Sequence, residues 1–253
     1  MREREETTHA RLLLTGLAYR QKLVGAGSRQ ILAVHMGGDL VDLQGALLRT
    51  SDHNVQALTD VDVAEMPVEA IRQLVSERPA VGLAMWYDTL VDASIHREWT
   101  ANIGQRTARV RLCHLLCELG VRMYDAGRGT LNRYELPMTQ QDFGDALGLT
   151  GVHVNRTFKG LSEESLVEKR RSSVYIKDWN RLVQAGDFSP HYLHLQDDLQ
   201  AGCGSSLEAA RSGAILPALG NPMESRPDGQ APRTMALADP ARSTIAMTGS
   251  SVT

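Results

Sequence analysis

Two short helical patterns joined by a glycine-containing turn occupy MTQQDFGDALGLTGVHVNRTFKGL, residues 138–161. Thr139 and Thr150 are favourable N-cap residues, and Gly148 suits the C-terminal end of a helix. Each helix has one apolar face, made of Phe143, Ala146 and Leu147 in the first and Val154, Phe158 and Leu161 in the second. Helices of this length and spacing bury those faces against each other and a third element, which predicts a helix-turn-helix unit.

The other face of the second helix carries side chains that can read base edges in the DNA major groove. Arg156 can donate two hydrogen bonds to guanine, and Asn155 can pair with adenine. His153 can donate to a phosphate or a base acceptor, and Val152 can touch a thymine methyl group. The alternatives are an ordinary exposed helix residue for Asn155, a surface ion pair for Arg156 and packing for Val152.

Phosphate contacts are expected at the start of the first helix, on the second helix and in a basic turn that follows it. Helix N-termini present free backbone N–H groups that suit phosphate oxygens. The basic turn lies within SLVEKRRSSVYIKDW, which predicts a β-hairpin, or wing. The predicted phosphate-contacting residues are Thr139, Gln140, Gln141, Thr150, Lys159, Lys169, Arg170 and Arg171.

The rest of the chain divides by periodicity. Four segments with strand character, 10–16, 17–24, 29–36 and 53–67, are separated by glycine-containing turns, which predicts an antiparallel roll. Helical patterns follow at 67–78, 80–103 and 104–127. The stripe Val81, Met85, Leu90, Ile95, Trp99 and Ile103 on the long middle helix indicates pairing with a second copy, with packing inside its own domain as the alternative.

Charge and composition separate these regions further. Residues 1–104 hold 10 Lys+Arg against 14 Asp+Glu, residues 105–195 hold 13 against 10, and residues 196–253 hold 4 against 6. Residues 201–253 lack Phe, Tyr and Trp and contain five of the nine prolines, so we expect disorder there. No apolar run reaches membrane-spanning length, and no secretory signal is expected.

Chemistry-bearing side chains outside the helix pair are few. The three cysteines, Cys113, Cys117 and Cys203, lack disulfide-like spacing and fit a reducing cytoplasm. Cys113 and Cys117 can share a metal or sense oxidants, but within an apolar run they are more simply buried hydrophobes. His191 and His194 have no further ligand nearby in sequence, and no catalytic signature is present, so we expect neither a metal site nor an enzyme.

These motifs together resemble the Crp/Fnr superfamily of transcription regulators over about Arg4–Leu195. The resemblance rests on the helix pair, the wing LVEKRRSSVYIKDWNRL, and the upstream segments RQILAVHMGGDLVDL and IGQRTARVRLCHLLCEL. It implies an α+β fold with a partial, cupin-like antiparallel β-roll of the cyclic-nucleotide-binding type (1–79), a dimerisation helix (80–103) and a winged helix-turn-helix (104–195), before the tail (196–253). Family members usually have a helix and first strands before the point that matches Arg4, and we expect either an upstream extension or a degraded sensor.

The resemblance also bears on effectors. Cyclic-nucleotide binders of the family use a Gly-Glu pair and a downstream Arg with a small hydroxyl residue, whereas this chain has Gly38-Asp39 and RTSDHNV. Arg49 is displaced and Asp52 would repel a phosphate, so no cyclic nucleotide is expected. The N-terminal cysteine group of the family's iron–sulfur type is missing, so no cluster is expected either, and the effector stays unassigned.

The sequence therefore predicts a cytoplasmic, homodimeric, sequence-specific transcription regulator. Its recognition helix, Thr150–Leu161, would enter the major groove of a pseudo-palindromic double-stranded operator. RNA polymerase is a further expected partner if the protein activates transcription, and no membrane partner is expected. The alternative is a ligand-sensing or protein-interaction module that has lost operator binding.

Overall fold

The computed structural model describes residues 1–25 and 27–195, so the predicted disordered tail and Cys203 lie outside the described residues. The N-terminal strands are β1 (His9–Thr15), β2 (Leu17–Val24), β3 (Ser28–Met36), β4 (Leu40–Val41), β5 (Asn54–Ala57) and β6 (Asp62–Pro67). A 3₁₀ turn at Leu43–Ala46 lies between β4 and β5. The six strands form two antiparallel three-stranded sheets, ordered β4-β1-β6 and β3-β2-β5, which we call the β-roll.

The predicted strand segment 53–67 is in fact two strands that join different sheets. β5 pairs with β2, with Asn54 opposite Gln21, whereas β6 pairs with β1, with Pro67 opposite His9. A four-residue break at 58–61 separates them because the chain must cross from one sheet to the other. This crossing gives the roll its two layers, with Leu13, Ala18 and Val41 buried between them.

The long helical pattern forms α2 (Pro79–Gln105), three residues longer in total than predicted and preceded by α1 (Val68–Glu77). The predicted stripe does not act as one surface. Ile95 and Trp99 are buried in the core of the same chain, and Met85 packs against the cluster around Ile71. Leu90 of the stripe instead lies in a row of exposed apolar side chains with Leu83, Trp86 and Tyr87, each 51–63% accessible.

The next helix, α3, covers Ala108–Asp125 and not the whole of 104–127. Arg106 adopts an extended backbone (φ −87°, ψ 153°), and the Thr107 side chain accepts a hydrogen bond from the backbone N–H of Val110. The predicted early start was wrong because residues 104 and 105 still belong to α2 and Thr107 caps a new helix. The chain therefore turns between the long helix and the C-terminal domain at Arg106.

The C-terminal domain has α4 (Gln140–Leu147), α5 (Gly151–Glu163) and α6 (Trp179–Ala185), with a 3₁₀ turn at Pro190–Leu193. Its sheet has the order β7-β8-β10-β9, made of β7 (Gly129–Thr130), β8 (Arg133–Glu135), β9 (Val167–Arg170) and β10 (Ser173–Ile176). The hairpin β9–β10 is the predicted wing. One large apolar core runs from α3 through α4 and α5 to the inner face of β2 and β3. Within the described residues, no helix is long and apolar enough to cross a lipid bilayer.

Candidate DNA-binding surface

The first helix of the pair starts at a complete capping box. The backbone N–H of Asp142 donates to the Thr139 hydroxyl (3.1 Å), and the backbone N–H of Thr139 donates to the Asp142 carboxylate (2.8 Å). This reciprocal pair satisfies two of the backbone donors that a helix start leaves free. The Thr139 hydroxyl also donates to the same carboxylate oxygen at 2.6 Å, which ties the cap together.

Two glycines set the tight turn between the helices. Gly148 has φ +64°, a left-handed conformation that ends α4 as predicted. A Cβ on Gly144 would lie 2.6 Å from the backbone carbonyl oxygen of Leu149, so no larger residue fits where the turn crosses α4. The sequence analysis makes no prediction for Gly144, although a glycine inside a short amphipathic helix indicates a close approach.

The second helix is held by its apolar face. Thr150 caps it by accepting from the backbone N–H of His153 (3.2 Å). Val154 and Leu161 are fully buried, and the Phe158 ring meets the Phe143 ring of α4 edge-on at 5.2 Å between centroids. The two helices are therefore packed against each other through their apolar faces.

The predicted base-reading face is free. Val152 is 73% exposed, and His153, Asn155 and Arg156 are exposed as well. Among the described residues, the side chains of Asn155 and Arg156 have no hydrogen-bond or ion-pair partner. The ion pair offered as the alternative reading of Arg156 is therefore not formed within this part of the chain, and its guanidinium is available to an external acceptor.

The predicted phosphate residues of the helix pair differ in how free they are. Gln140 is exposed, whereas the Gln141 amide donates to Asp145 at 2.6 Å. Thr139 and Thr150 use their hydroxyls as caps. Lys159 is exposed and forms a weak surface pair with Glu163 at 3.8 Å. Of these residues, Gln140 has an exposed side chain that neither caps a helix nor forms a pair within the described residues.

The three basic residues of the wing lie in three different environments. The Lys169 ammonium donates to the backbone carbonyl oxygens of Leu136 and Arg171, and burial lowers the pKa of Lys169. Arg170 pairs with Glu168 at 2.6 Å and lies over the Tyr175 ring. Arg171 stands at the turn with φ +47° and is exposed. Arg171 is thus the wing cation best placed for an external anion.

One groove brings six of the twelve predicted site residues together. It is lined by Thr139 and Gln140 at the start of α4, Asn155 and Lys159 of α5, and Lys169 and Arg171 of the wing, with the Glu168 carboxylate among them. The other six predicted residues do not line it, namely Gln141, Thr150, Val152, His153, Arg156 and Arg170. Three separate segments of sequence thus contribute polar or basic groups to one surface. We call α4, α5 and this wing the reading unit.

The β-roll holds a second cleft, of about 390 Å³, against α2 and α3. It is lined by Arg20, His35, Asp39, Asp92 and Arg122 among others, and the buried His35 Nε2 and Arg20 Nε have no hydrogen-bond partner in the described residues. The charge of Arg122 and the hydrogen bond from His35 hold the pKa of Asp39 below its usual value, although burial works against them.

The residues considered for phosphate or metal binding are placed differently. Arg49 is exposed and faces Glu6 at 3.6 Å, and the Asp52 carboxylate pairs with His53 at 2.7 Å. His191 and His194 have ring centroids 6.0 Å apart, and the described residues contain no group of three or more His, Cys, Asp or Glu suited to a metal ion. Cys113 and Cys117 are buried, and burial raises the pKa of Cys113 to about 11, as for a thiol packed as a hydrophobe.

Comparison with known proteins finds a matching domain family for the N-terminal and for the C-terminal part of the chain. Residues 1–78 match the cyclic nucleotide-binding domain family, and residues 110–185 match the Crp-like helix-turn-helix domain family. The chain is 28% identical over 185 residues to the transcriptional activator protein FnrL of Cereibacter sphaeroides, covering 70% of this chain and 73% of that protein. It is 25% identical over 156 residues to the transcriptional activator protein Anr of Pseudomonas aeruginosa, covering 62% and 64%.

Solved structures agree on the fold. FixK2 of Bradyrhizobium japonicum superposes with a TM-score of 0.65 at 24% identity, covering 73% of this chain and 90% of that one. TTHB099, a transcriptional regulator of the CRP family from Thermus thermophilus, gives 0.56 at 16% identity, covering 74% and 95%. The helix-turn-helix, the wing and the β-roll, together with the two domain matches and the similarity to curated activators, lead to one conclusion: the chain belongs to the Crp/Fnr superfamily of transcription regulators and carries its helix-turn-helix DNA-binding domain.

Proposed function

We propose that this protein binds a pseudo-palindromic operator as a homodimer, with α5 of each protomer in the major groove of one half-site. The observation that carries the proposal is the pair Asn155 and Arg156, which are exposed and unpartnered in the described residues. Exposed side chains with unused donors, on a helix that packs against its own domain along the opposite face, are what base readout requires.

The dimer is proposed to form through α2. Its exposed face of Leu83, Trp86, Tyr87 and Leu90 is a row of large apolar groups at helical spacing. A second copy of the same helix covers such a row and removes it from water. Two reading units joined in this way would contact half-sites about one DNA turn apart, roughly 34 Å.

The other parts of the proposal follow from the family. We place the protein in the cytoplasm, with RNA polymerase as a further partner if it activates transcription, and with regulation rather than catalysis as its role. We propose neither a cyclic nucleotide nor an iron–sulfur cluster. In support, the segment that the resemblance matches to the phosphate-binding arginine of cyclic-nucleotide binders carries Asp52, which pairs with His53, and both described cysteines are buried.

The test of base reading starts from duplexes that the wild-type protein selects from a random pool. We expect Arg156→Ala to weaken binding to the selected duplex by roughly 1–3 kcal/mol and to relax preference at one base position. Arg78→Ala is the matched control, since Arg78 is an exposed arginine at the α1–α2 junction. Equal weakening on selected and random duplexes would remove Arg156 from base reading, and failure to select any duplex would favour a module without operator binding.

The test of the dimer is the mass in solution. We expect Leu83→Glu with Leu90→Glu to give a monomer in size-exclusion chromatography with light scattering, because two charges would be buried in the pair. Ala84→Glu, on an exposed position about 100° around the helix from Leu83, should leave the dimer intact. A double variant with unchanged mass would place the interface elsewhere.

A further inference from the structure

Arg29, at the start of β3, reaches out of the β-roll and binds the first helix of the reading unit. Its Nε donates to Asp145 at 2.5 Å and its Nη2 donates to Asp142 at 2.5 Å. The remaining Nη1 donates to the Tyr19 hydroxyl at 2.8 Å, and the guanidinium lies over the Tyr19 ring. Every nitrogen of this side chain is therefore occupied, and two of the three bonds cross between domains.

The contact is shielded and geometrically specific. The side chains of Arg29, Asp142 and Asp145 are only 24%, 11% and 10% exposed. Charge-assisted hydrogen bonds from a planar guanidinium fix direction as well as distance, and salt screens a pair that is shielded from solvent less than a surface pair. The neighbouring Gln30 adds a bond from its amide to the carbonyl oxygen of Ala146 at 3.4 Å.

The contact leaves the reading face open. Asn155, Arg156 and Val152 are exposed while Arg29 holds α4, so this arrangement does not cover the groups that would meet bases. An autoinhibitory contact would bury or engage them. Holding α4 also holds α5, because the two helices share the Phe143–Phe158 contact.

We propose that Arg29 is a positioning residue for operator binding. Through Asp142 and Asp145 it fixes the angle of the reading unit against the β-roll, so that both reading units of a dimer meet two half-sites together. This inference rests on the proposed function. Its physical basis is effective concentration, since a second half-site is captured efficiently only when the second reading unit is already held near the required position and orientation.

The inference predicts a difference between two DNA substrates. Arg29→Ala should weaken binding to a duplex with both half-sites on the order of tenfold, because the second contact becomes less favourable. Binding to a duplex with one half-site should be unchanged, since α5 and its base-reading side chains are intact. A general loss of structure would lower both affinities, so the ratio of the two is the informative readout.

The variants are chosen to keep the helix cap intact. Asp142 is left unchanged because it caps α4, and Asp145→Asn is used to remove the partner charge. Asp145→Asn should lower the full-site affinity in the same direction, and adding it to Arg29→Ala should cause little further loss, because both remove one interaction. Arg29→Lys should restore part of the full-site affinity, and Arg49→Ala, an exposed arginine in the same β-roll, should match the wild type.

The outcomes separate this inference from the proposed function. A wild-type protein that selects no duplex ends the proposed function itself. If the wild type binds its operator, equal losses on one and two half-sites, no loss at all, or a gain on Arg29→Ala would each overturn positioning. Circular dichroism and thermal unfolding establish whether each variant is folded. If Arg29→Ala does not fold, the comparison of one and two half-sites is made with Asp145→Asn instead.

Discussion

The reading unit and the β-roll bury different kinds of groups. Inside the reading unit the buried side chains are almost all apolar, with Phe143, Val154 and Leu161 below 1% exposure. The β-roll instead buries charged and titratable groups, including Asp42, His53 and His35 at 5% exposure or less. The comparison teaches that the first region is held mainly by packing, whereas the second depends on polar partners that must be in place together.

The largest expected effect comes from removing packing in the reading unit. Phe143→Ala should lower the free energy of unfolding by about 3–5 kcal/mol, because it empties a fully enclosed site. Leu13→Ala in the β-roll should cost less, since Leu13 already borders a small cleft beside Arg11 and Val55. Urea denaturation of both variants measures the difference, and a larger loss for Leu13→Ala would reverse the comparison.

A second test removes a polar partner from the β-roll. The Asp42 side chain is fully buried, lies 3.3 Å from His53 Nε2, and sits on a backbone with φ +67°. Asp42→Ala should cost roughly 1–3 kcal/mol, because it leaves buried donors unpaired and places Ala in a left-handed conformation. Asp42→Asn should cost less, since Asn tolerates that conformation and keeps an acceptor oxygen. Equal unfolding free energies for both variants would show that the partners do not matter.

Buried histidines link the comparison to pH. Burial lowers the pKa of His35 in the β-roll and of His114 beneath α6. In the unfolded chain each binds a proton below about pH 6.5, whereas in the folded chain each stays neutral to lower pH. Stability is therefore fully present above pH 6.5 and is lost as pH falls toward the folded pKa values.

Urea titrations at pH 7.5 and 5.5 measure this dependence. His35→Gln and His114→Gln should each reduce the difference in unfolding free energy between the two pH values, whatever they do to stability at pH 7.5. A wild-type protein equally stable at both values would contradict the assignment of neutral buried histidines.

The smallest expected effects are on DNA affinity at the wing. Arg171→Ala should weaken binding to all duplexes by a few-fold and lower the salt slope by about one. Lys169→Ala should change the slope less, because the Lys169 ammonium is held by two backbone carbonyl oxygens. Titrations against salt concentration compare them, and a larger slope change for Lys169→Ala would show that its side chain turns outward on DNA.

The sequence predicted most where capping residues mark the ends of a helix locally. The helix pair was anticipated within two residues at each end, because Thr139, Gly148 and Thr150 are local signals read without knowledge of the fold. The extent of α3 was misjudged because Arg106 is extended through contacts with Glu98 and Asp187, and Asp187 is far away in sequence.

Other features could not be read locally at all. β4 has two residues and exists only because it pairs with β1, and the split between β5 and β6 is set by which sheet each joins. The stripe on α2 contained residues of two different faces because a long helix contacts several neighbours. The bonds from Arg29 join residues 113 and 116 positions apart, and such pairings leave no trace in periodicity.

The two oxygens of the Asp142 carboxylate accept hydrogen bonds from two different parts of the molecule. Oδ2 closes the cap with Thr139 and Oδ1 meets Arg29, so helix initiation and domain attachment share a single side chain. Glutamate would displace both oxygens by one methylene, and asparagine would surrender the negative charge. A substitution that changes the contact between the two domains but keeps the start of α4 therefore has to fall on Arg29 or Asp145. A substitution of Asp142 changes the domain contact and the helix cap together.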